Sequence, residues 1–410
     1  IMTIGVFNTG NYTTDLAKPS FASMITRLMP NGTAPLFGLT SMLSDETALQ
    51  TEHGFFTKTM VFPEAKINLA AGYLAGDVTF VVDTTANLLP SMIMRNERTG
   101  ENMIINSVLS GTSIQVARAV GTVAAAAIND NDDLFQVGNA YEESSTRPTA
   151  NNIIPVRVTN LTQIFRNTWA ISGSAAATQV IAGESTDAEN RQDCAAFHAA
   201  DIEKATFFGQ KSQGTRNGQP FRTMDGLINM VETPGFYPPS YGGGTNSFTA
   251  GATTTWTQLE VMLDPVFDQS TDPKTSNERL MFVGGDAKVV LNNIGRLNGT
   301  YQLMDGQTNF GLQFSTLTTS RGKFRIIEHP LFNTNSTWSK MAVVVDLPTF
   351  NLAYLAGRKT QNMEFNTKGQ MAADNGIDAV GGTLTTELTS VIKNTPANAV
   401  IRNLTAAAVG

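Results

Sequence analysis

Cysteine is nearly missing from this 410-residue chain: Cys194 stands alone, which excludes an internal disulfide and a cysteine-based zinc cluster. Histidine is almost as scarce. His53, His198 and His329 lie far apart and share no metal-ligand spacing. Charged residues make up only 15% of the chain, against about 25% in ordinary globular proteins. The balance of 28 basic and 35 acidic residues gives a net charge of -7 and a pI near 5.1, so no general basic field invites nucleic acid. No run approaches the ~18 apolar residues of a membrane helix, and no basic segment followed by an apolar one reads as a signal peptide. The expectation is a soluble protein that starts in the cytoplasm and contacts no membrane. Ile1 precedes Met2, which leaves processing of the N-terminus open.

Catalytic patterns are missing as well. Gly-x-Ser-x-Gly, the Walker loop and Gly-x-Gly-x-x-Gly do not occur, and Val283-Gly-Gly-Asp286 reads as the entry to a helix. Carboxylates are scattered, without the pairing that glycoside chemistry needs. Asn129-Asp-Asn-Asp-Asp133 has neither the glycine nor the distal glutamate of a calcium loop and reads as a solvated turn. The Asn-x-Ser/Thr sites at Asn11, Asn31, Asn160, Asn298, Asn335 and Asn403 are expected by chance in such a composition. Cys194 reads as a packed core residue, His198 as a polar rim residue and His329 as structural. No catalytic, cofactor-binding or metal-binding residue is proposed, and the chain is expected not to be an enzyme.

Uncharged polarity fills the gap: 52 Thr, 33 Asn and 35 Gly accompany 41% hydrophobic residues. Residues 1–62 mix short apolar runs with Pro30, Gly32, Pro35 and Gly38 and read as a leader or as an extended arm on a neighbouring subunit. Over 66–143, Val78–Val82 reads as a buried strand. Ser91–Arg95 and Asn102–Ile105 flank a turn ending at Gly100, and Asn106–Leu109 and Ser113–Ala117 flank a second. Short strands with regular turns predict a small barrel or sandwich.

Thr186-x-x-Glu189 is a capping box that opens a helix over about 187–208, stopping at Gly209. Ala195, Ala199, Ile202 and Ala205 form its expected apolar stripe. Thr255-x-x-Gln258 opens another helix, bent or ended by Pro265. Leu280–Val283 and Ala342–Leu347 read as buried strands, and Gly285-Asp286 opens a helix carrying Val289, Val290, Leu291 and Ile294. Phe314–Thr319 and Phe324–Ile327 form a hairpin, and Thr383–Ile392 with Ala399–Leu404 read as a strand pair. Strands and helices interleave without strict βαβ repetition, which is an α+β pattern.

Leu161-Thr-Gln-Ile-Phe-Arg166, then Ile171-Ser-Gly-Ser174, then Asp201-Ile-Glu-Lys-Ala-Thr-Phe-Phe-Gly209 resembles the strand, turn and long helix of tailed-bacteriophage major capsid proteins of the Hong Kong 97-type (HK97-type) fold. Gly100–Val108, Ser113–Arg118 and Asp133–Ala140 resemble the β-tongue, or extended loop, of that group. Gly322–His329 resembles its glycine-turn hairpin, and Gly382–Leu388, Asn394 and Ala399–Ile401 resemble its returning strands. Gly121-Thr122 stands where the group often has Gly-Gly-Thr, and Glu142-Glu143 where it has Glu-Gly.

The resemblance covers roughly residues 60–404 and implies an anatomy: arm 1–62, tongue 63–152, peripheral domain 153–230 with the spine helix, axial domain 231–365, and returning peripheral strands 366–410. It implies a major capsid protein that self-assembles through hexameric and pentameric capsomers into an icosahedral head around double-stranded DNA. Scaffold, portal and decoration proteins are then expected partners, DNA is touched weakly and non-specifically, and assembly takes place in the host bacterial cytoplasm. No cofactor is implied. A tail-tube or decoration protein, an adhesin and an enzyme are the rivals.

Overall fold

Short apolar segments separated by turn residues build two units, Ile1–Phe55 with Arg157–Gly410, and Phe56–Val156. The computed structural model describes residues 34–40, 45–58, 62–150, 152–178, 186–237, 244–268, 277–297, 304–305, 315–365 and 378–408. The first unit opens with α1 (Pro35–Thr40), β1 (Glu46–Ala48) and β2 (Glu52–Thr57). Leu36 and Ala48 are fully buried in that unit's cores, so residues 34–40 and 45–48 are packed into their own chain. Most of the arm expected over 1–62, residues 1–33, lies outside the described residues.

The second unit contains β3 (Glu64–Lys66), β4 (Thr79–Val81), β5 (Met92–Asn96), β6 (Asn102–Ser110), β7 (Ser113–Ala117) and β8 (Asp133–Asn139). Their order is β3-β8-β5-β6-β7-β4. The two ends meet: Ile67 bridges Val82, Asn68 N–H donates to Val81 C=O at 3.0 Å, and Asp83 N–H donates to Lys66 C=O at 2.9 Å. The sheet therefore closes into a small barrel, which removes its edges. Gly100, at φ +72°, makes the β5–β6 turn that an L side chain would strain. The two strands expected over 102–109 are one, β6, whose pairing with β7 shifts register twice.

Val78–Val82 is not buried throughout. Phe80 and Val82 point into the core with Ile67, Met94, Met103, Ile105 and Ile114, while Val78 and Val81 are exposed. That period of two belongs to a wall that is wet on its outer face.

In the first unit the chain resumes with β9 (Val156–Leu161), paired to β2, then β10 (Gln163–Ser172) and α2 (Gly173–Ala177), capped by the Ser172 hydroxyl accepting from Ala175 N–H. The long helix α3 (Thr186–Phe208) follows, then the hairpin β11 (Ser212–Arg216) and β12 (Gln219–Thr223), and α4 (Leu227–Glu232). After β13 (Ser247–Thr249) comes α5 (Trp256–Leu263), opened by the Thr255–Gln258 capping box, both of whose bonds are made. Pro265 lies in the 3-10 turn that ends it. The remaining elements are β14 (Glu278–Val283), α6 (Gly285–Leu297), β15 (Met304–Asp305), β16 (Ser315–Thr318), β17 (Lys323–Glu328), β18 (Ala342–Val345), β19 (Phe350–Leu355), β20 (Gln361–Phe365), β21 (Ala379–Ile392) and β22 (Ala399–Arg402).

Two sheets organise this unit. One has the order β1-β19-β21-β10, with β20 also on β21; the other runs β13-β22-β18-β14-β17-β16-β15. In the second, Leu280, Phe282, Val343, Val345 and Val400 enter one core, and Met281, Val283, Ala342, Val344, Ala399 and Ile401 enter the other. Burial on both faces explains why these strands read as unbroken apolar runs. The tail differs from expectation, because β21 and β22 do not pair with each other. β21 lies between β10 and β19, and β22 lies between β13 and β18. Alternation fixes a strand's faces but not its neighbour. The whole is α+β.

Candidate functional site

The long helix carries three buried polar residues, His198, Glu203 and Thr206, on one side. Cys194, His198, Ile202 and Thr206 follow one another at i+4 and are buried, joined by Glu203 and Phe207. The expected alanine stripe is not this face. Ala195 is exposed, Ala199 is half-buried, and Phe197 stands 65% exposed beside them. The buried side includes polar groups that find partners in the sheet (His198), in α1 and at His329 (Glu203) and in the helix itself (Thr206), a signal that a hydrophobicity count overlooks. The capping side of the Thr186–Glu189 box adjoins residues outside the described set.

His198 is not a rim residue. Its Nδ1 lies 2.7 Å from Asn167 Oδ1 on β10, and its Nε2 lies 2.7 Å from the Thr386 hydroxyl on β21. Asn167 in turn donates its amide N–H to Asp201 at 3.0 Å. Burial pushes the His198 pKa down, against the pull of Asp201. Hydroxyl, imidazole and orienting amide thus lie in the sequence of a nucleophile–base pair. Thr386 is fully buried, however, so no substrate reaches its oxygen.

Glu203 is the second anchor. Its carboxylate, fully buried, accepts the N–H groups of Leu36 at 2.8 Å and Phe37 at 2.7 Å, and His329 Nε2–H at 2.8 Å. His329 Nδ1 accepts from Leu331 N–H at 3.2 Å, which leaves the proton on Nε2. Phe207 meets the imidazole edge-on at 4.9 Å, and Phe332 stacks on it at 4.6 Å. One carboxylate therefore ties α1, α3 and the end of β17 together, and His329 is structural. Cys194 is buried and free, its thiol pKa raised by burial, which makes it a core residue and not a nucleophile.

Other charges are spent inside the protein. Glu387 on β21 accepts from Arg358 Nε at 2.6 Å and the Thr162 hydroxyl at 2.8 Å, with Arg222 3.7 Å away. Asp346 faces Arg279 at 3.4 Å; burial raises the acid and lowers the base. In the barrel, Glu101 pairs with Arg118 at 2.6 and 2.7 Å, and that guanidinium also donates to the carbonyls of Leu74, Asp77 and Ala126. Asp132 is also buried, contrary to the solvated turn expected there. Arg98, Asn96 and the Asn129 N–H hold it, and these bonds, Arg98 first, pull its pKa down to about 2.

An open groove of about 480 Å³ runs between β10 and α3, lined by Gln163–Asn167 and by Asp201, Lys204, Ala205 and Phe208. It contains no activated nucleophile. Among the described residues no cluster of histidine, cysteine or carboxylate could hold a metal. His53 sits 3.4 Å from Glu46, alone among potential ligands. The side chains thus build a rigid frame whose polar groups face one another.

The family model for the SU10 major capsid protein matches residues 7–405. A major capsid protein of Pseudomonas phage PaMx41 is 37% identical over 412 residues, covering 98% of this chain and 96% of that protein. The chain belongs to the SU10 major capsid protein family. Its place is the phage capsid and its role is structural, which agrees with the buried, inward-turned chemistry above. Among solved structures, a capsid of a native GTA particle is 7% identical with a TM-score of 0.48, covering 98% of each chain. The Mycobacterium phage Cain structure is 8% identical with a TM-score of 0.46, covering 97% of each chain. These likenesses are remote, and the family assignment rests on the sequence matches.

For a capsid protein, the scarcity of free charge has a physical reading. An unpaired charge buried at a subunit contact costs several kcal/mol, whereas Thr and Asn hydroxyls and amides desolvate more cheaply. In this chain Glu203, Glu387, Glu101 and Arg118, among the most buried charges, are paired within the subunit.

Proposed function

We propose that copies of this chain associate through hexameric and pentameric capsomers into the icosahedral head of a tailed phage, enclosing double-stranded DNA. The full-length match to a phage major capsid protein carries this reading. The proposal keeps the HK97-type anatomy: α3 as the spine helix of the peripheral domain 153–230, the axial domain 231–365, the returning peripheral strands 366–410, and the closed barrel in the place of the β-tongue. Residues 1–33 keep the role of an arm on a neighbouring subunit, since residues 34–40 are bound to α3 of their own chain.

Exposed apolar side chains such as Phe197 on α3 and Phe62 beside β3, at 65% and 74% exposure, supply contact area for other copies. The net charge of -7 limits DNA contact to weak, non-specific encounters. Scaffold, portal and decoration proteins complete the partner set, with assembly in the host bacterial cytoplasm. Electron microscopy of the expressed, purified chain tests the reading. Closed shells or ring-shaped capsomers support it; tubes would point to a tail component, and a dispersed monomer would refute it.

A further inference from the structure

We infer that His198 is a pH-sensitive clamp that seats α3 on its sheet while neutral and loosens the helix when it takes up a proton. The hydrogen bonds fix the neutral state. Asn167 donates through Nδ2 to Asp201, so its Oδ1 faces the imidazole and Nδ1 carries the proton. Nε2 is then an acceptor, filled by the Thr386 hydroxyl, which itself meets the Thr360 hydroxyl at 2.8 Å. One side chain thereby ties α3 to β10 and, through β21, to the turn before β20.

Protonation at Nε2 creates a second donor where an acceptor stood. The hydroxyls of Thr386 and Thr360 can reverse to accommodate it, so the main penalty is a cation held in a buried seat. Asp201, three residues along α3, accepts the Asn167 amide N–H and is 4.0 Å from Lys204. Arg191 lies over Trp169, 4.5 Å from the ring, and pairs with Asp187 and Glu364. Glu387, next to Thr386 on β21, is engaged by Arg358 and Arg222. Asp201 offsets part of this penalty, but burial outweighs it. Burial depresses the folded-state pKa below the ordinary value of 6.5. The clamp is therefore complete above that value and is lost progressively as pH falls below it.

The test uses the full chain. Proton NMR of the histidine ring signals across pH 7.5 to 5 reads the His198 midpoint. Hydrogen exchange, corrected for the intrinsic rate at each pH, reads the protection of α3 amides with α6 as the internal control. We expect a midpoint below 6.5 and a selective fall in α3 protection, about tenfold for each pH unit by which the His198 midpoint lies below 6.5. His198→Gln offers an N–H and a C=O in the same seat but does not titrate, so its α3 protection should be flat over this range. A wild-type midpoint at or above 6.5, or an unchanged pH dependence in His198→Gln, would overturn the inference.

Discussion

Replacing Glu203 by alanine probes the anchor that binds the first described residues to the rest of the unit. The carboxylate is fully buried and accepts two backbone N–H groups of α1 and the Nε2–H of His329. Deleting it leaves three donors in the interior. Each unsatisfied buried donor costs about 1–3 kcal/mol, and breaking a buried charged set costs about 3–5 kcal/mol in measured cases. The latter figure is the better guide, because α1 can detach and rehydrate two of the donors. Against a typical total of about 5–15 kcal/mol, the loss is large. Glu203→Gln keeps one oxygen as an acceptor but turns an NH₂ group toward a donor, so about 1–3 kcal/mol is expected. Urea unfolding of the full chain at neutral pH gives both values. Hydrogen exchange at Leu36 and Phe37 gives a local readout in the glutamine variant. A Glu203→Ala protein within about 1 kcal/mol of wild type, with those two amides still protected, would refute the reasoning.

Removing residues 1–50 deletes buried Leu36 and Ala48 and should cost at least about 3 kcal/mol by thermal melting. Asp132→Asn should destabilise the barrel unit at neutral pH. The Asp132 pKa is depressed to about 2, so its contribution is complete above the ordinary carboxylate range and lost as pH falls through about 2. An acid titration followed by circular dichroism should therefore show a flatter limb between about pH 4 and 2 in the variant. Phe197→Ser, at an exposed site on α3, should change stability by no more than about 0.5 kcal/mol while lowering the yield of assembled particles in sedimentation.

Much of the fold is legible wherever one segment carries its own signal. The β5–β6 hairpin follows from a glycine placed where φ must be positive, and α5 from the reciprocal bonds of Thr255 and Gln258. The C-terminal end of α3, Phe208 before Gly209, is equally local. What is not local is the partner. The Thr383–Ile392 and Ala399–Leu404 runs alternate alike, yet β21 and β22 join different sheets because their neighbours come from remote parts of the chain.

The buried face of α3 is hidden for a related reason. His198 and Glu203 look like surface residues until Asn167, Thr386 and His329 are brought against them. Asp132 was indistinguishable from its solvated neighbours until Arg98 folded over it. The frame around α3 is therefore a product of long-range contact, while the absence of catalytic motifs is legible in the order and spacing of the residues.

Native mass spectrometry of the purified full chain tests the central claim most directly. Self-assembly predicts species at five and six times the 44.0 kDa subunit mass, or larger closed particles built from them. A single 44.0 kDa species at all protein concentrations would contradict it.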